Sequence, residues 1–152
     1  MDRVRTATPA DAPEIGRLLD QFNTEFGDAT PGPEAIAERA HEMLKRDELV
    51  VFLAGEPAVG IASMLFRVSI WSPTRDAYLE ELYVEPPRRG DGLGRALLEA
   101  AMDAARERGA ARIELNTGET DAAARRLYEA AGFTNREGDP DGPSMLYYER
   151  DL

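Results

Sequence analysis

Apolar residues recur along this chain with two alternating periods, and the switches between them mark out the elements. Residues 3–7 alternate and read as a short edge strand. Thr8 then precedes Pro9 and Pro13, a capping residue followed by prolines, and Ile15, Leu18, Leu19 and Phe22 recur at helical spacing. The pattern lapses between Asn23 and Pro33 into a loop holding Gly27, Pro31 and Gly32. Residues 34–45 return to the helical period, with Ile36, Ala40, Met43 and Leu44 on one side. Residues 49–54 form an unbroken apolar strand, Gly55-Glu56-Pro57 a tight connection and residues 58–71 a long second strand, so the pair reads as a hairpin. Ser72 to Asp76 turns the chain back into a third strand over residues 78–84.

That third strand opens the stretch around which the chain is organised. In a regular strand Tyr78, Glu80, Leu82 and Val84 take one face and Leu79, Glu81 and Tyr83 the other. Pro86-Pro87 ends it, because proline donates no ladder hydrogen bond. Arg89-Gly90-Asp91-Gly92-Leu93-Gly94-Arg95 follows, and Leu93, Ala96, Leu97, Ala100, Ala101, Ala104 and Ala105 make one apolar helical stripe that Gly109 stops. A helix start leaves backbone N–H groups without partners and carries partial positive charge, so a glycine-rich turn there suits an anionic phosphate. Arg88, Arg89 and Arg95 add cations at the same spot, and a pyrophosphate fits best. A dinucleotide fold would place such glycines after its first strand, with an acidic residue about 20 positions on, and a nucleotide-hydrolase loop would end in Gly-Lys-Ser/Thr. The sequence has neither arrangement.

Residues 111–116 form a further strand, which runs parallel to residues 78–84 because a helix crosses between them. A polar turn leads to a helix over residues 122–131, capped by Thr120 or Asp121 and ended by Gly132. Residues 135–144 are a loop, and residues 145–149 close the sheet as a last strand.

Arg89, Gly92 and Gly94 match Gln/Arg-x-x-Gly-x-Gly/Ala, and this stretch resembles the acyl-CoA loop of the GNAT N-acetyltransferase superfamily. Leu82-Tyr83-Val84 is similar to the family's preceding strand, and the run from Arg125 to Phe133 to its later helix, which ends in Tyr-x-x-x-Gly-Phe. The resemblance is close from Tyr78 to Phe133 and looser outside. It implies an α/β fold: a mixed, mostly antiparallel sheet of six or seven strands, with a splayed parallel pair and about four flanking helices. It also implies acetyl transfer from acetyl-CoA, as co-substrate, to an amine, small or peptide-borne. Pyrophosphate would lie at Arg89, Gly90, Asp91, Gly92, Leu93, Gly94 and Arg95. Pantetheine would lie in the splay, held by backbone groups at Leu82, Tyr83 and Val84.

The same resemblance assigns the chemistry. Tyr128 is the candidate general acid for the leaving thiolate, set against simple packing in its helix. Glu80 is the candidate base, acting through water; Glu81 lies opposite and takes over if a bulge shifts the register. Both can instead be salt-bridging surface groups, and an amine near pH 8 loses protons without a dedicated base. Asp121 stands where relatives carry an asparagine holding the CoA arm and can serve as a helix cap alone. Asn116 stands where some relatives carry a carboxylate base; an amide takes no proton but can hydrogen-bond pantetheine or water. Phe22, Glu25, Phe26 and Asp28 are candidate acceptor contacts, each also readable as packing or a solvated acid. His41 is a surface or packing residue.

Bulk properties narrow this only slightly. With 152 residues the chain is expected to form one domain, 1–152, able to bury a core. It has no cysteine, which excludes disulfides, a thiolate nucleophile and zinc–cysteine sites; no metal is expected. No apolar run approaches the roughly 20 residues of a membrane span and the N-terminus lacks an apolar leader, so a cytoplasmic protein is expected. A net charge of −11 argues against nucleic acid, and it suits a cationic acceptor or simply solubility. A non-catalytic CoA-binding module, an acetyltransferase acting on a protein N-terminus or lysine, and a homodimer all stay open.

Overall fold

The computed structural model describes residues 3–152, which divide after Leu115 into two compact units. The first holds a five-stranded sheet in the order β1-β2-β3-β4-β5: β1 is Val4–Thr6, β2 Leu49–Ala54, β3 Gly60–Arg67, β4 Asp76–Val84 and β5 Ile113–Leu115. The first four strands are antiparallel neighbours, and β5 lies parallel to β4, as the helical crossover requires. Helices α1 (Ala12–Glu25) and α2 (Pro33–Lys45) precede β2, and α3 (Leu93–Glu107) joins β4 to β5. The second unit holds α4 (Ala122–Ala130).

The sheet is sandwiched, and register decides which residues meet which helices. Leu53, Ile61 and Tyr83 sit side by side on one face, in a core with Ile15 and Leu18 of α1 and Ala40 of α2. On the other face α3 buries Leu97, Leu98 and Ala101, and Leu97 lies against Gly60, where a Cβ would come within 3.0 Å of its Cδ1. The regular alternation expected for β4 is broken. Ser63 opposes Glu81 but Met64 opposes Leu79, so Glu80 is an extra residue in the strand. A bulge of this kind inverts the parity of everything before it. Tyr78, Glu81 and Tyr83 therefore share the α1/α2 face with Leu65, Ser63 and Ile61, while Leu79 and Leu82 take the α3 face.

Two further expectations are corrected. The second strand of the hairpin stops at Arg67 rather than residue 71, because Arg67↔Asp76 is its last pair. Beyond it Val68, Ile70 and Trp71 are exposed and local bonds among Ser69, Ser72 and Thr74 shape the connection. The sheet has five strands, not six or seven: residues 145–149 form no strand, and Leu146, Tyr147 and Tyr148 are exposed. Asn135 instead accepts from the Met145 N–H, and Arg136 bridges Ser144, closing the preceding loop on itself. An apolar, aromatic run without a ladder partner has nothing to hold it extended.

Helix α1 is fastened to the sheet by polar contacts at both ends. Near its start, Arg17 donates to Glu14, to Glu85 after β4 and to the Ala58 carbonyl, and Glu14 accepts from the Ala58 N–H. Its crossing with α2 is set by Gly16, where an added Cβ would run into the Pro33 carbonyl oxygen and lie 3.0 Å from Ala37 Cβ. Gly16→Ala should accordingly cost about 1–3 kcal/mol of stability by overpacking, read from denaturant unfolding. An unchanged midpoint would show that the helices can slide apart freely.

Candidate active site

The glycine loop takes the form the sequence suggests. Residues Pro86–Arg88 make a 3-10 turn, and Gly90 (φ 84°) and Gly92 (φ 83°) follow in the left-handed region that favours glycine. The first ladder bond of α3 runs from the Ala96 N–H to the Gly92 carbonyl, so the N–H groups of Leu93, Gly94 and Arg95 open the helix ahead of it. Open space surrounds Gly90, where a Cβ would meet nothing within 4 Å. The flanking arginines all carry carboxylate partners: Arg88 with Asp91 at 3.4 Å, Arg95 with Glu99 at 2.9 Å, and Arg89 with Glu25 at 2.7 Å. Anion affinity at this loop therefore falls mainly on backbone amides, with Arg88 and Arg95 in exposed pairs that exchange cheaply.

Arg89 is bound differently from the other two. Its Nε donates to the Val84 carbonyl at 2.9 Å while a terminal nitrogen holds Glu25, and Tyr83 Oη donates to the same carboxylate at 2.9 Å. Burial and this bond push the Tyr83 hydroxyl up to about 12. The Tyr83 ring stacks on Phe22 at 4.9 Å, and Phe22 meets Phe26 edge-on at 5.3 Å. Glu25 thus ties the end of α1 to the glycine loop, and Phe22 and Tyr83 are packing residues beneath that tie.

β5 leaves the edge of β4 open beyond Leu79. The parallel pair covers only Ala77, Tyr78 and Leu79, so residues 80–84 are paired to β3 alone within the sheet. Because the Glu85 N–H bonds the Val59 carbonyl and bonded pairs alternate along an antiparallel ladder, the backbone groups of Leu82 and Val84 point toward that open edge, whereas Tyr83 turns its own to β3. The edge has the form of a slot for one more extended chain.

On the α1/α2 face lies a cavity of about 270 Å³. Its sheet wall is Val51, Ser63, Leu65, Glu80 and Glu81; its helix wall includes Ile15, Leu19, Ile36, Arg39 and Met43. Glu80 is exposed and Glu81 half-buried. Burial, reinforced by the charges of Glu80 and Asp28, pushes the Glu81 carboxyl from its ordinary 4.5 up to about 7. Of the two carboxylates suggested by sequence, the bulge thus brings Glu81 into register with Ser63 and gives it a proton affinity suited to neutral pH.

Residues 15–133 match the acetyltransferase (GNAT) family model. The chain belongs to the GNAT acetyltransferase family. It is an acyltransferase by family, and GNAT members use acetyl-CoA. A crystal structure from Arthrobacter sp. FB24, of a protein provisionally assigned as an acetyltransferase, is 48% identical, with a TM-score of 0.91 over 100% of this chain and 97% of that one. YhfO of Bacillus subtilis strain 168, an uncharacterised N-acetyltransferase, is 32% identical over 89% of this chain and 91% of its own. A mycothiol acetyltransferase of Beutenbergia cavernae is 46% identical over a shorter stretch, covering 43% of this chain and 23% of that relative.

The remaining candidates of this GNAT chain lie in its second unit. Tyr128 is buried on α4, its ring 5.9 Å from that of Phe133, and Gly132 (φ 93°) ends the helix between them. Asp121 caps α4 by accepting from the Ala124 N–H at 3.1 Å, the role its acceptor-only side chain allows. Asn116 is exposed. His41 is half-buried on α2 and lies 3.5 Å from Glu42. Among the described residues no group of His, Cys, Asp or Glu could hold a metal, and no helix is long and apolar enough to cross a membrane.

Sequence reasoning missed Ser63 and Arg39. Ser63 had a signal, as the one polar residue inside the apolar run from Gly60 to Phe66; Arg39 had none, because a lone arginine on a polar helix is ordinary. The Glu25–Arg89 tie was likewise invisible, since its partners are 64 residues apart.

The raised pKa of Glu81 has a consequence for stability. Its folded value near 7 exceeds the unfolded 4.5, so its contribution is fully present below 4.5 and is lost as pH rises through 7. Glu81→Gln cannot ionise, and its Tm should rise relative to wild type between about pH 5 and about pH 8. A constant difference across that range would place the carboxylate in open water.

Proposed function

We propose that this chain transfers an acetyl group from acetyl-CoA to a primary amine by direct attack. The observation that carries this reading is the junction of β4 with α3. The open edge at Leu82 and Val84 leads straight into Gly90, Gly92 and the unbonded amides of Leu93, Gly94 and Arg95. An extended pantetheine and a pyrophosphate need those two features in that order, and the space around Gly90 leaves room for phosphate oxygens. Acetyl-CoA supplies the activated acyl group and the thiolate that leaves.

The chain's own residues divide the remaining work. Glu81, at the wall of the acceptor cavity, takes the proton that the attacking nitrogen gives up as the N–C bond forms, directly or through one water. Glu80, exposed on the bulge, adds negative charge that draws an ammonium to the cavity mouth. An N–H on the open edge of β4 faces the acyl carbonyl and stabilises its developing negative charge. Tyr128 returns a proton to the leaving sulfur as the C–S bond breaks, a transfer uphill by roughly 1–2 pKa units because a thiol is more acidic than a phenol, and the tyrosinate takes its proton back from solvent. Asn116 lends a hydrogen bond to the pantetheine arm, and Asp121 acts by holding the start of α4 in place.

Calorimetric titration with acetyl-CoA tests the donor site. Wild type should bind, and Gly92→Asp with Gly94→Asp should abolish binding by filling the loop and repelling phosphate; wild type that fails to bind would overturn the reading. For the chemistry, Tyr128→Phe and Glu81→Gln should each lower turnover by about 10²–10⁴-fold while acetyl-CoA binding persists. The wild-type rate should rise with pH through about 7, and Glu81→Gln should lose that limb. A limb that persists in Glu81→Gln would move the base elsewhere.

A further inference from the structure

The acceptor cavity carries more information than the presence of a base. This step rests on the acetyltransferase reading and concerns what the cavity is built to hold. At about 270 Å³ it falls just below the roughly 300–1,000 Å³ of pockets for drug-sized ligands, so the part of the acceptor that enters it is small. Most of its lining is apolar, with Ile15, Leu19, Ile36, Met43 and Leu65 offering no hydrogen bond to a hydroxylated guest. A sugar-borne amine entering it would lose hydration that this apolar wall does not replace.

Five polar residues break that lining, Asn23, Arg39, Ser63, Glu80 and Glu81; the Asn23 amide N–H donates to the Ala29 carbonyl and Glu80 is exposed on the bulge. Ser63 is only 3% exposed and its hydroxyl makes no hydrogen bond among the described residues. Among those residues no buried side-chain polar atom is sealed off without a partner, so the Ser63 hydroxyl opens onto the cavity that it lines. Its Cα partner across the β3–β4 ladder is Glu81, which puts a hydroxyl and a carboxylate side by side on the sheet wall. Arg39 stands on the helix wall, in the same α2 face as Ile36, Ala40 and Met43, and has neither ion pair nor hydrogen bond among the described residues.

We propose that the acceptor is a free α-amino acid with an apolar side chain, its ammonium between Ser63 and Glu81, its carboxylate paired with Arg39 and its side chain against the aliphatic lining. An amine without a carboxylate would leave Arg39 to solvent and gain nothing from it, and a polyamine would set a second ammonium beside it. A guanidinium matches a carboxylate bidentately, which turns the charge pattern into an orientation of the substrate. Glu81 takes one proton from the bound ammonium and passes it to solvent, the free amine attacks the acyl carbon as the C–S bond breaks, and the nitrogen's second proton balances the one that leaves on the CoA thiol, so the products are the N-acetyl amino acid and CoA.

The test uses the full chain with acetyl-CoA and follows CoA release with leucine and phenylalanine, their amides, isoamylamine, phenethylamine, spermidine, an aminoglycoside and a short peptide. The free amino acids should exceed their amides and decarboxylated amines in kcat/KM by at least about tenfold, the scale of one lost charge-assisted contact. Arg39→Gln should collapse that ratio toward one, and Arg39 is exposed, so the substitution leaves the core untouched. Highest kcat/KM with spermidine, the aminoglycoside, the peptide or the neutral amines would overturn the inference while sparing the acetyltransferase reading. So would bound acetyl-CoA with no turnover of any acceptor in the set. Absence of acetyl-CoA binding would sink the acetyltransferase reading, and this inference with it.

Discussion

One inserted residue in β4 decides which side chains of that strand line the cavity on the α1/α2 face. A strand presents alternate side chains to alternate faces, so a register slip of one exchanges every side chain on one side of the slip. With Glu80 accommodated as a bulge opposite the Ser63–Met64 step, Tyr83 and Glu81 turn toward α1 and α2 while Leu79 still reaches the α3 face. Without it, a strand that buries Leu79 against α3 would send Glu81 and Tyr83 to that side too. Glu81 would then lie in the apolar layer packed by Leu97 and Leu98, and the cavity would lose the carboxylate that faces Ser63. The bulge allows a buried apolar residue and a half-buried acid to sit two positions apart in one strand, each on the side where it is stable.

The second organising contact joins the end of α1 to the glycine loop. Glu25 ends α1, accepts from Tyr83 and pairs with Arg89, and Arg89 in turn bonds the last carbonyl of β4. Charge-assisted bonds of this kind are short and directional, about twice as strong as neutral ones. Glu25 therefore fixes the angle at which the glycine loop leaves the strand, and it does so from a helix that lines the cavity. The arginine of the loop motif is used as a brace, and the amides of Leu93, Gly94 and Arg95 open the helix beside it. Asp91 and Glu99 pair with Arg88 and Arg95 too, but as exposed local pairs that fix nothing beyond the loop and the first turn of α3.

Some of this was legible from residues alone. Positive-φ positions at Gly90, Gly92, Gly109 and Gly132 fall where the turn and helix-stop patterns put them, because only the local backbone is involved. The parallel placement of β5 follows from the handed crossover through α3, and the stripes of α1, α2 and α3 follow from period alone. The last strand was misread because residues 145–149 have the apolar and aromatic composition of a strand, yet composition states only a preference. A strand exists when a partner supplies its hydrogen bonds, and that partner is not written in the segment.

The sequence by itself determined the local units: where helices begin and stop, the glycine turn that exposes amides, and the family to which that turn belongs. Each depends on neighbours a few residues apart, whose backbone geometry is fixed by residue type. The tertiary structure alone decided the bulge at Glu80, the consequent placement of Glu81 on the cavity wall, the pairing of Glu25 with Arg89, and the meeting of Ser63 and Arg39 around one cavity. These depend on register and on contacts between positions tens of residues apart. Local propensity is nearly indifferent to them; the packing of α1 and α2 against the sheet is not.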